Sequence, residues 1–195
     1  FQKVHNNTNC SLLLHQQILE NGLSASKPFL YYSLELLKKI SKLPKFIAMK
    51  EDAKNKNLTR MIGLNLSSKM VIITSGGGKQ QWLFSRKYGC QSWLSGVSSL
   101  DPKIGTEFYE AYLKNNKIKI NKIINLIEKP FFKCVKKYGW HLTIKSFLEH
   151  NKMFLRYERS PLMKLDNKNH KKILITLNKI KKSLRDHDLN HYLKN

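Results

Sequence analysis

Between residues 28 and 112, short apolar runs alternate with segments whose apolar residues recur at helical spacing, and this alternation constrains the fold more than any single motif. A short apolar run between polar or proline residues is typical of a buried strand. The pattern predicts strands at residues 28–32, 46–50, 70–74 and 92–97, each followed by a helix. Strand–helix–strand units with short joints build parallel sheets, so the sequence predicts an α/β fold.

The segments outside this alternation are predicted to contain no strand. Residues 1–11 are polar and are predicted to be irregular, and residues 12–23 predict a helix that ends near its glycine. Beyond residue 116, apolar residues recur only at helical spacing, with Pro130 expected to kink or break one helix. We therefore predict barrel-type βα units over residues 1–116 and a helical extension over residues 117–195.

The length of the chain limits how complete such a fold is. A closed (β/α)₈ barrel takes about 250 residues. This chain has 195 residues, so four βα units followed by helices resemble the second half of a barrel. The predicted fold class is therefore α/β, a partial TIM (β/α)₈ barrel of about strands 5–8 with a C-terminal helical extension.

The charge of the chain raises a different possibility. Lysine and arginine number 36 against 13 acidic residues, which gives a formal net charge of +23. Such a balance is typical of nucleic-acid binders. The lysines, however, are dispersed among many Asn and Ile residues, and the densest run, Lys114–Lys137, also fits the solvated faces of amphipathic helices. No base-reading motif accompanies them, so we expect any nucleic-acid binding to be non-specific.

Cysteine usage and hydropathy indicate the compartment. Cys10, Cys90 and Cys134 are odd in number and form no CxxC pair, which predicts free thiols in a reducing compartment, the cytoplasm. No apolar run is long enough to span a bilayer, and no signal segment is recognisable, so we expect no membrane partner. The Ser-Gly-Gly-Gly-Lys segment lacks the spacing of a phosphate-binding loop. We expect neither a cofactor nor a metal ion.

Lys50 is the strongest candidate for chemistry. It follows the apolar run Phe46–Met49 and therefore falls at the carboxyl end of a predicted strand, where α/β proteins place their active sites. Apolar surroundings lower the pKa of a lysine, and a neutral amine attacks carbonyl groups to form a Schiff base. The alternative is a strand-end lysine whose charged head simply extends into water.

Several segments of the chain resemble one family, the dihydrodipicolinate synthases and N-acetylneuraminate lyases. Residues 47–51, Ile-Ala-Met-Lys-Glu, resemble the Schiff-base lysine strand of that family. Residues 73–76 are similar to its seventh strand, and residues 89–96 with Pro102 are similar to its eighth strand. Residues 139–149 are similar to its C-terminal helix, and residues 157–162 to the tail of members acting on sugar acids. The resemblance covers about residues 12–175.

The resemblance implies a class I lyase, aldolase or dehydratase acting through a lysine imine on a 2-oxo acid such as pyruvate or a keto-deoxy sugar acid. Lys50 takes the place of the lysine, and Tyr32, or secondarily Tyr31, that of a proton-shuttling tyrosine on the fifth strand. Gly76 and Leu94 are expected to contact the substrate. Taken without the resemblance, Tyr32 also fits a half-buried strand aromatic, and the glycine run fits a tight turn.

The resemblance also has gaps. The first four strands of the family have no counterpart, and Ser33 follows Tyr32 at once where relatives have several intervening residues. We therefore expect a fragment of a longer enzyme, with a complementary N-terminal half or another copy of the chain as possible partners. The alternatives are a basic module that binds nucleic acid without catalysis, and a degenerate remnant of the enzyme.

Overall fold

The computed structural model describes residues 1–17, 32–53, 55–75, 78–160 and 164–193. These residues form two compact units; the first ends at Leu94 and the second begins at Ser95. In the described part of the chain, no helix is both long enough and apolar enough to cross a membrane.

The first unit is built on a four-stranded parallel sheet. Its strands are β1 (Leu12–Gln17), β2 (Phe46–Asp52), β3 (Val71–Thr74) and β4 (Ser92–Trp93), paired in the order β1-β2-β3-β4. Parallel strands in sequential order with right-handed crossovers bring all the connecting helices to the same face of the sheet. This winding is that of a barrel rather than of a doubly wound sheet. The predicted parallel α/β sheet is confirmed.

The described residues of this unit include four helices, and two of these begin at side-chain caps that the structure describes. They are α1 (Gln2–Asn6), α2 (Leu34–Ile40), α3 (Lys56–Leu66) and α4 (Gly78–Ser85), the last continuing as a 3₁₀ turn over Arg86–Tyr88. Ser33 Oγ accepts a hydrogen bond from the Leu36 amide, and Asn55 Oδ1 accepts one from the Leu58 amide. Such caps satisfy amides that the first turn of a helix leaves unpaired.

Helices α2 and α3 cover one face of the sheet. Leu14, Met49 and Ile72, from three adjacent strands, pack with helix residues such as Leu37 and Ile62 in one buried cluster. Burial of each such side chain stabilises the fold by about 1.5–3 kcal/mol. We call this side of the sheet the helix-covered face.

The opposite side of the sheet carries the alternate side chains, because successive residues of a strand point to opposite faces. We call it the open face; its residues include Leu13, His15, Lys50, Asp52, Val71 and Ile73. Leu13 is 52% exposed and Val71 is 43% exposed. Parallel sheets normally have both faces covered, so apolar side chains on the open face have the character of a barrel interior.

The second unit is helical. Its helices are α5 (Lys103–Leu113), α6 (Lys117–Ile123), α7 (Lys129–Tyr138), α8 (Trp140–His150) and α9 (Asn167–Arg185). A π-helical segment, Ile124–Glu128, joins α6 to α7, so Pro130 lies in the first turn of α7 rather than ending a helix. A 3₁₀ turn begins at Gly96, where a β-carbon would stand 2.1 Å from the Trp140 ring, so only glycine allows this close approach.

Three predicted elements require correction. The helix predicted over residues 12–23 is wrong at its start, where β1 runs instead; leucine favours helices, but pairing with β2 overrides that preference. Residues 1–11 are not wholly irregular, since α1 lies there. The strand predicted at 92–97 is only the two residues of β4. Of the strand predicted at 28–32, only Tyr32 is described, and it belongs to no strand.

Candidate functional site

Lys50 lies where the sequence predicts it, at the carboxyl end of β2. The preceding residue, Met49, is fully buried in the helix-covered core, so the side chain of Lys50 projects to the open face. The Lys50 side chain is 22% exposed. A half-buried amine at the carboxyl end of a parallel strand is accessible to a small molecule bound on the open face.

His15 and Asp52 accompany Lys50, and we call the three residues the open-face cluster. His15 is the register partner of Lys50 on the adjacent strand, and Asp52 lies two residues beyond Lys50 on the same strand. Asp52 Oδ2 stands 3.9 Å from Lys50 Nζ and 3.8 Å from His15 Nε2. These distances allow electrostatic attraction but exceed those of a hydrogen bond. The three groups are therefore held near one another by electrostatic attraction rather than by hydrogen bonds.

The electrostatics of this cluster favour a neutral imidazole. Burial of the ring lowers the pKa of His15 below its ordinary value of 6.5, and the positive charge of Lys50 lowers it further; attraction to Asp52 offsets these two effects only in part. His15 Nε2 is buried and has no hydrogen-bond partner among the residues that the structure describes. A neutral imidazole with a nitrogen free of hydrogen bonds can accept a proton.

The intervening residue, Glu51, points to the helix-covered face and is fully buried. Its carboxylate accepts hydrogen bonds from Thr59 Oγ1 and from the Ala53 amide, both at 2.8 Å. Burial raises the pKa of the Glu51 carboxyl above 4.5, although both hydrogen bonds oppose the shift. These bonds tie the end of β2 to α3, so Glu51 fixes the strand end from which Lys50 and Asp52 project.

Tyr32 is placed elsewhere. Its ring centroid lies 5.6 Å from that of Phe1, and the Phe1 ring in turn lies 6.1 Å from the ring of Phe46, the first residue of β2. Four residues of strand separate Phe46 from Lys50, a distance of about 13 Å. The structure therefore does not bring Tyr32 to Lys50, and this placement gives no support to the predicted role of Tyr32 as the proton-shuttling tyrosine. Tyr31 lies outside the described residues.

Of the two residues predicted to contact the substrate, Gly76 and Leu94, the structure describes only Leu94. Gly76 lies outside the described residues. The preceding Ser75 amide donates to the Glu51 carbonyl at 2.8 Å, which keeps the chain at the carboxyl end of β2. The Leu94 amide donates to the Thr74 carbonyl at 2.9 Å, so Leu94 lies at the same edge of the sheet, and its side chain is half exposed.

Sequence reasoning missed His15. The signal that could have found it is the run Leu-Leu-Leu-His-Gln-Gln at residues 12–17, which has the same order of apolar then polar residues as Phe46–Asp52. Both runs are strands whose polar residues emerge at the carboxyl end. No group of three or more histidine, cysteine or acidic side chains in the described ranges is arranged to hold a metal ion.

The helical unit contains a second cluster of polar groups, centred on Glu107 of α5. Tyr192 Oη donates to Glu107 at 2.7 Å, His191 Nε2 lies 3.0 Å from its other oxygen, and Lys119 pairs with it as well. Although burial opposes the shift, these contacts lower the pKa of Glu107 to about 2. We call these four residues the Glu107 cluster. It fastens the C-terminal segment and α6 to α5.

Comparison with solved structures identifies the fold. The chain matches 4-hydroxy-tetrahydrodipicolinate synthase from Methylacidiphilum fumariolicum with a TM-score of 0.75 and 18% identity, covering 97% of this chain and 59% of that one. It matches dihydrodipicolinate synthase from Aquifex aeolicus with a TM-score of 0.71 and 17% identity, covering 96% and 59%. It matches sialic acid aldolase from Ruminococcus gnavus with a TM-score of 0.68 and 15% identity, covering 89% and 56%.

The resemblance predicted from the sequence is thus confirmed at the level of the fold. The chain spans less than three fifths of the length of these structures, which is consistent with a C-terminal portion of their barrel. No protein-family model and no curated protein matches the chain.

Proposed function

We propose that the chain forms an imine between Lys50 and the carbonyl group of a 2-oxo acid, and that it belongs to a lyase or aldolase. The observation that carries the proposal is the placement of Lys50 on the open face at the carboxyl end of β2, next to a half-buried histidine and a carboxylate. The fold supports it, because the structural neighbours are synthases and aldolases whose barrels share this strand winding.

The proposed chemistry follows from the amine. A neutral Lys50 Nζ attacks the carbonyl carbon of the oxo acid, and loss of water gives an iminium ion. The iminium withdraws electrons from the neighbouring carbon, so a carbon–carbon or carbon–oxygen bond one atom further away can break. Gly76 and Leu94 are proposed to line the substrate site, Gly76 through its backbone.

We further propose that the active site needs strands beyond the four described. The open face exposes apolar side chains that a barrel interior would enclose, and the neighbours are longer than this chain. The additional strands would exclude water from Lys50 and supply groups that hold the carboxylate of the substrate. They would come from a longer form of this protein, from a separate amino-terminal half, or from a second copy of the chain.

Reductive trapping tests the proposal. The chain is incubated with pyruvate and borohydride, alone and with the amino-terminal half of a structural neighbour, and adducts are located by intact mass and peptide mapping. We expect an adduct on Lys50 in the assembled mixture. Absence of a Lys50 adduct in a mixture shown to be folded and assembled would contradict the proposal.

Lys50→Arg is the matched control, since it keeps the positive charge but cannot form the imine. This variant is expected to lose the Lys50-directed adduct while retaining the background adducts on exposed lysines. If the variant is labelled as fast as the parent chain and on the same peptides, the reaction is unspecific and Lys50 has no special role.

A second candidate function rests on helix α9. Its exposed residues include five lysines and an arginine, Lys168, Lys171, Lys172, Lys179, Lys182 and Arg185, and no acidic residue occurs between Asn167 and Arg185. This face fits a polyanion bound through its phosphates. Binding to random-sequence and defined duplexes should then be equal and should weaken steeply with salt. A strong sequence preference that survives high salt would favour a specific nucleic-acid protein instead.

A further inference from the structure

The open-face cluster contains more than the lysine that the proposed function uses. His15 stands directly across from Lys50, and both approach the same Asp52 oxygen, at 3.8 Å and 3.9 Å. Tyr32, the first candidate for the proton-transferring tyrosine of the family resemblance, packs near the amino end of β2, and Tyr31 lies outside the described residues. A titratable ring therefore occupies the place beside the lysine where proton transfer is needed.

An irregularity in strand pairing puts His15 there. Leu12 pairs with Phe46, but Leu13 pairs with Ala48, so β2 contains one extra residue at this point. With regular pairing, Lys50 would face Gln16, and His15 would lie beside a residue of the helix-covered face. The bulge shifts the register by one residue and turns the imidazole toward the amine.

We propose that His15 is the proton carrier for imine formation at Lys50 and that Asp52 is a positioning residue for its ring; this inference rests on the proposed function. Attraction to Asp52, 3.8 Å from Nε2, orients the ring, and the imidazole nitrogen that carries no proton is the base. His15 thus performs the role that a tyrosine has in the family that the sequence resembles.

The proton and electron balance of the step is closed. Neutral Lys50 Nζ bonds to C2 of the oxo acid, and the carbonyl π electrons move to the oxygen. The proton on the new cationic nitrogen passes to His15 and from there to that oxygen, which gives a carbinolamine. A second proton, from solvent hydronium, reaches the hydroxyl through the same ring. The C–O bond then breaks, the nitrogen lone pair forms the C=N bond, and water leaves.

The charged groups that the structure places against His15 are Lys50 and Asp52, both on β2. Lys50 disfavours the imidazolium ion and Asp52 favours it, and with burial the balance keeps the pKa of His15 below 6.5. The ring is therefore neutral at neutral pH and is available as a base. Formation of the iminium on Lys50 maintains a positive charge beside the ring, which favours release of the proton.

The test measures the rate of Lys50 labelling by pyruvate and cyanoborohydride between pH 5 and pH 8, in the preparation that gives the Lys50 adduct. His15→Gln should slow labelling on the order of 100-fold at pH 8, the usual contribution of general acid–base catalysis. The ratio of the wild-type rate to the variant rate should fall as the pH drops through a value below 6.5. This ratio cancels any pH dependence that the wild type and the variant share.

His15→Tyr keeps an aromatic ring at this position and can replace His15→Gln if that variant fails to fold. It should retain part of the rate but lose the inflection below pH 6.5, because a phenol does not titrate there. Asp52→Asn should move the inflection to lower pH, since the carboxylate raises the pKa of His15. An unchanged inflection in Asp52→Asn would remove Asp52 from the mechanism.

The outcomes of this test distinguish the proposed role of His15 from the proposed imine formation at Lys50. Labelling of Lys50 at an equal rate in the wild type and in His15→Gln overturns the role of His15 and leaves the imine intact. A slower His15→Gln variant whose rate ratio does not change with pH shows a structural role and also overturns it. No labelling of Lys50 in the wild type overturns the proposed function, and this inference with it.

Discussion

The end of β2 and the Glu107 cluster treat charge in opposite ways. At the end of β2, burial raises the pKa of Glu51 and lowers that of His15, so the charged form of each group is disfavoured. In the helical unit, three donors converge on Glu107 and lower its pKa to about 2, so the charged form is favoured. Both regions concentrate polar groups in a basic chain, yet only in the second do the contacts outweigh the effect of burial on the pKa of the carboxylate.

The difference between the two regions indicates which polar groups stabilise the fold and which are available for chemistry. The Glu107 contacts are short and complementary, as expected of groups that hold helices together. The contacts of the open-face cluster are near 4 Å and leave His15 Nε2 without a partner in the described part of the chain. Groups held close but not neutralised are those that catalytic sites use. The comparison therefore supports assigning chemistry to the sheet and stability to the helical unit.

The largest effect is expected at Glu107. Glu107→Gln leaves Lys119, Tyr192 and His191 without a charged acceptor, and we expect the free energy of unfolding to fall by about 2–4 kcal/mol. Urea denaturation measures the change. Glu110→Gln, an exposed change on the same helix, is the control and should alter stability by less than about 0.5 kcal/mol. An equal loss of unfolding free energy in the two variants would show that the Glu107 contacts do not stabilise the helical unit.

Acid unfolding should report on the same group. The pKa of Glu107 is about 2 in the folded chain against an ordinary 4.5, so its stabilising effect is present above pH 4.5 and is lost as the pH falls toward 2. Thermal unfolding of the wild type should show this loss, and Glu107→Gln should show a smaller one across the same window. Parallel melting temperatures in the two proteins would show that Glu107 is not the group responsible.

The same substitution at Glu51, Glu51→Gln, should raise the free energy of unfolding or leave it unchanged. A raised pKa means that folding favours the protonated carboxyl, so this group stabilises the fold at low pH and the effect is lost as the pH rises. Glu51→Gln should therefore be neutral or stabilising at pH 7, within about 1 kcal/mol. The advantage over the wild type should shrink as the solution is acidified. A loss at pH 7 as large as that of Glu107→Gln would contradict this account of the sheet.

The smallest effect concerns the thiols. Cys90 is buried in the helix-covered core, and burial raises its pKa to about 11, whereas Cys10 is exposed. We expect a thiol reagent to modify Cys10 in the folded protein and Cys90 only after unfolding. Peptide mapping of the modified protein distinguishes the two cysteines. Rapid native modification of Cys90 would show that the helix-covered face opens readily.

The sequence predicted the position of Lys50 at the carboxyl end of a strand because a local pattern was enough. Pro44 and the polar residues after Met49 bound a short apolar run, and such a run is a strand in any context that buries it. The helix cap at Ser33 and the glycine turn at Gly89, which has a positive φ of 94°, are equally local features. Structural features that are set by residues close together in the sequence can therefore be predicted from the sequence.

His15 was not predictable because its position depends on pairing between distant segments. Residues 12–14 are three leucines, which favour a helix or a strand according to what lies beside them. Even a correct strand would not have placed His15 opposite Lys50, since the register follows from the bulge beside Leu12. The Glu107 cluster likewise joins residues some 85 positions apart, and no local spacing announces it.

The most direct measurement compares two lysines that each lie beside a carboxylate, Lys50 near Asp52 and Lys119 against Glu107. Limiting pyruvate and cyanoborohydride are added to the preparation assembled with the amino-terminal half, and the adduct on each lysine is quantified by peptide mapping, natively and in urea. The account predicts that Lys50 is labelled much faster than Lys119 in the native state and at a similar rate once both are unfolded. Equal labelling of the two lysines in the native state would contradict it.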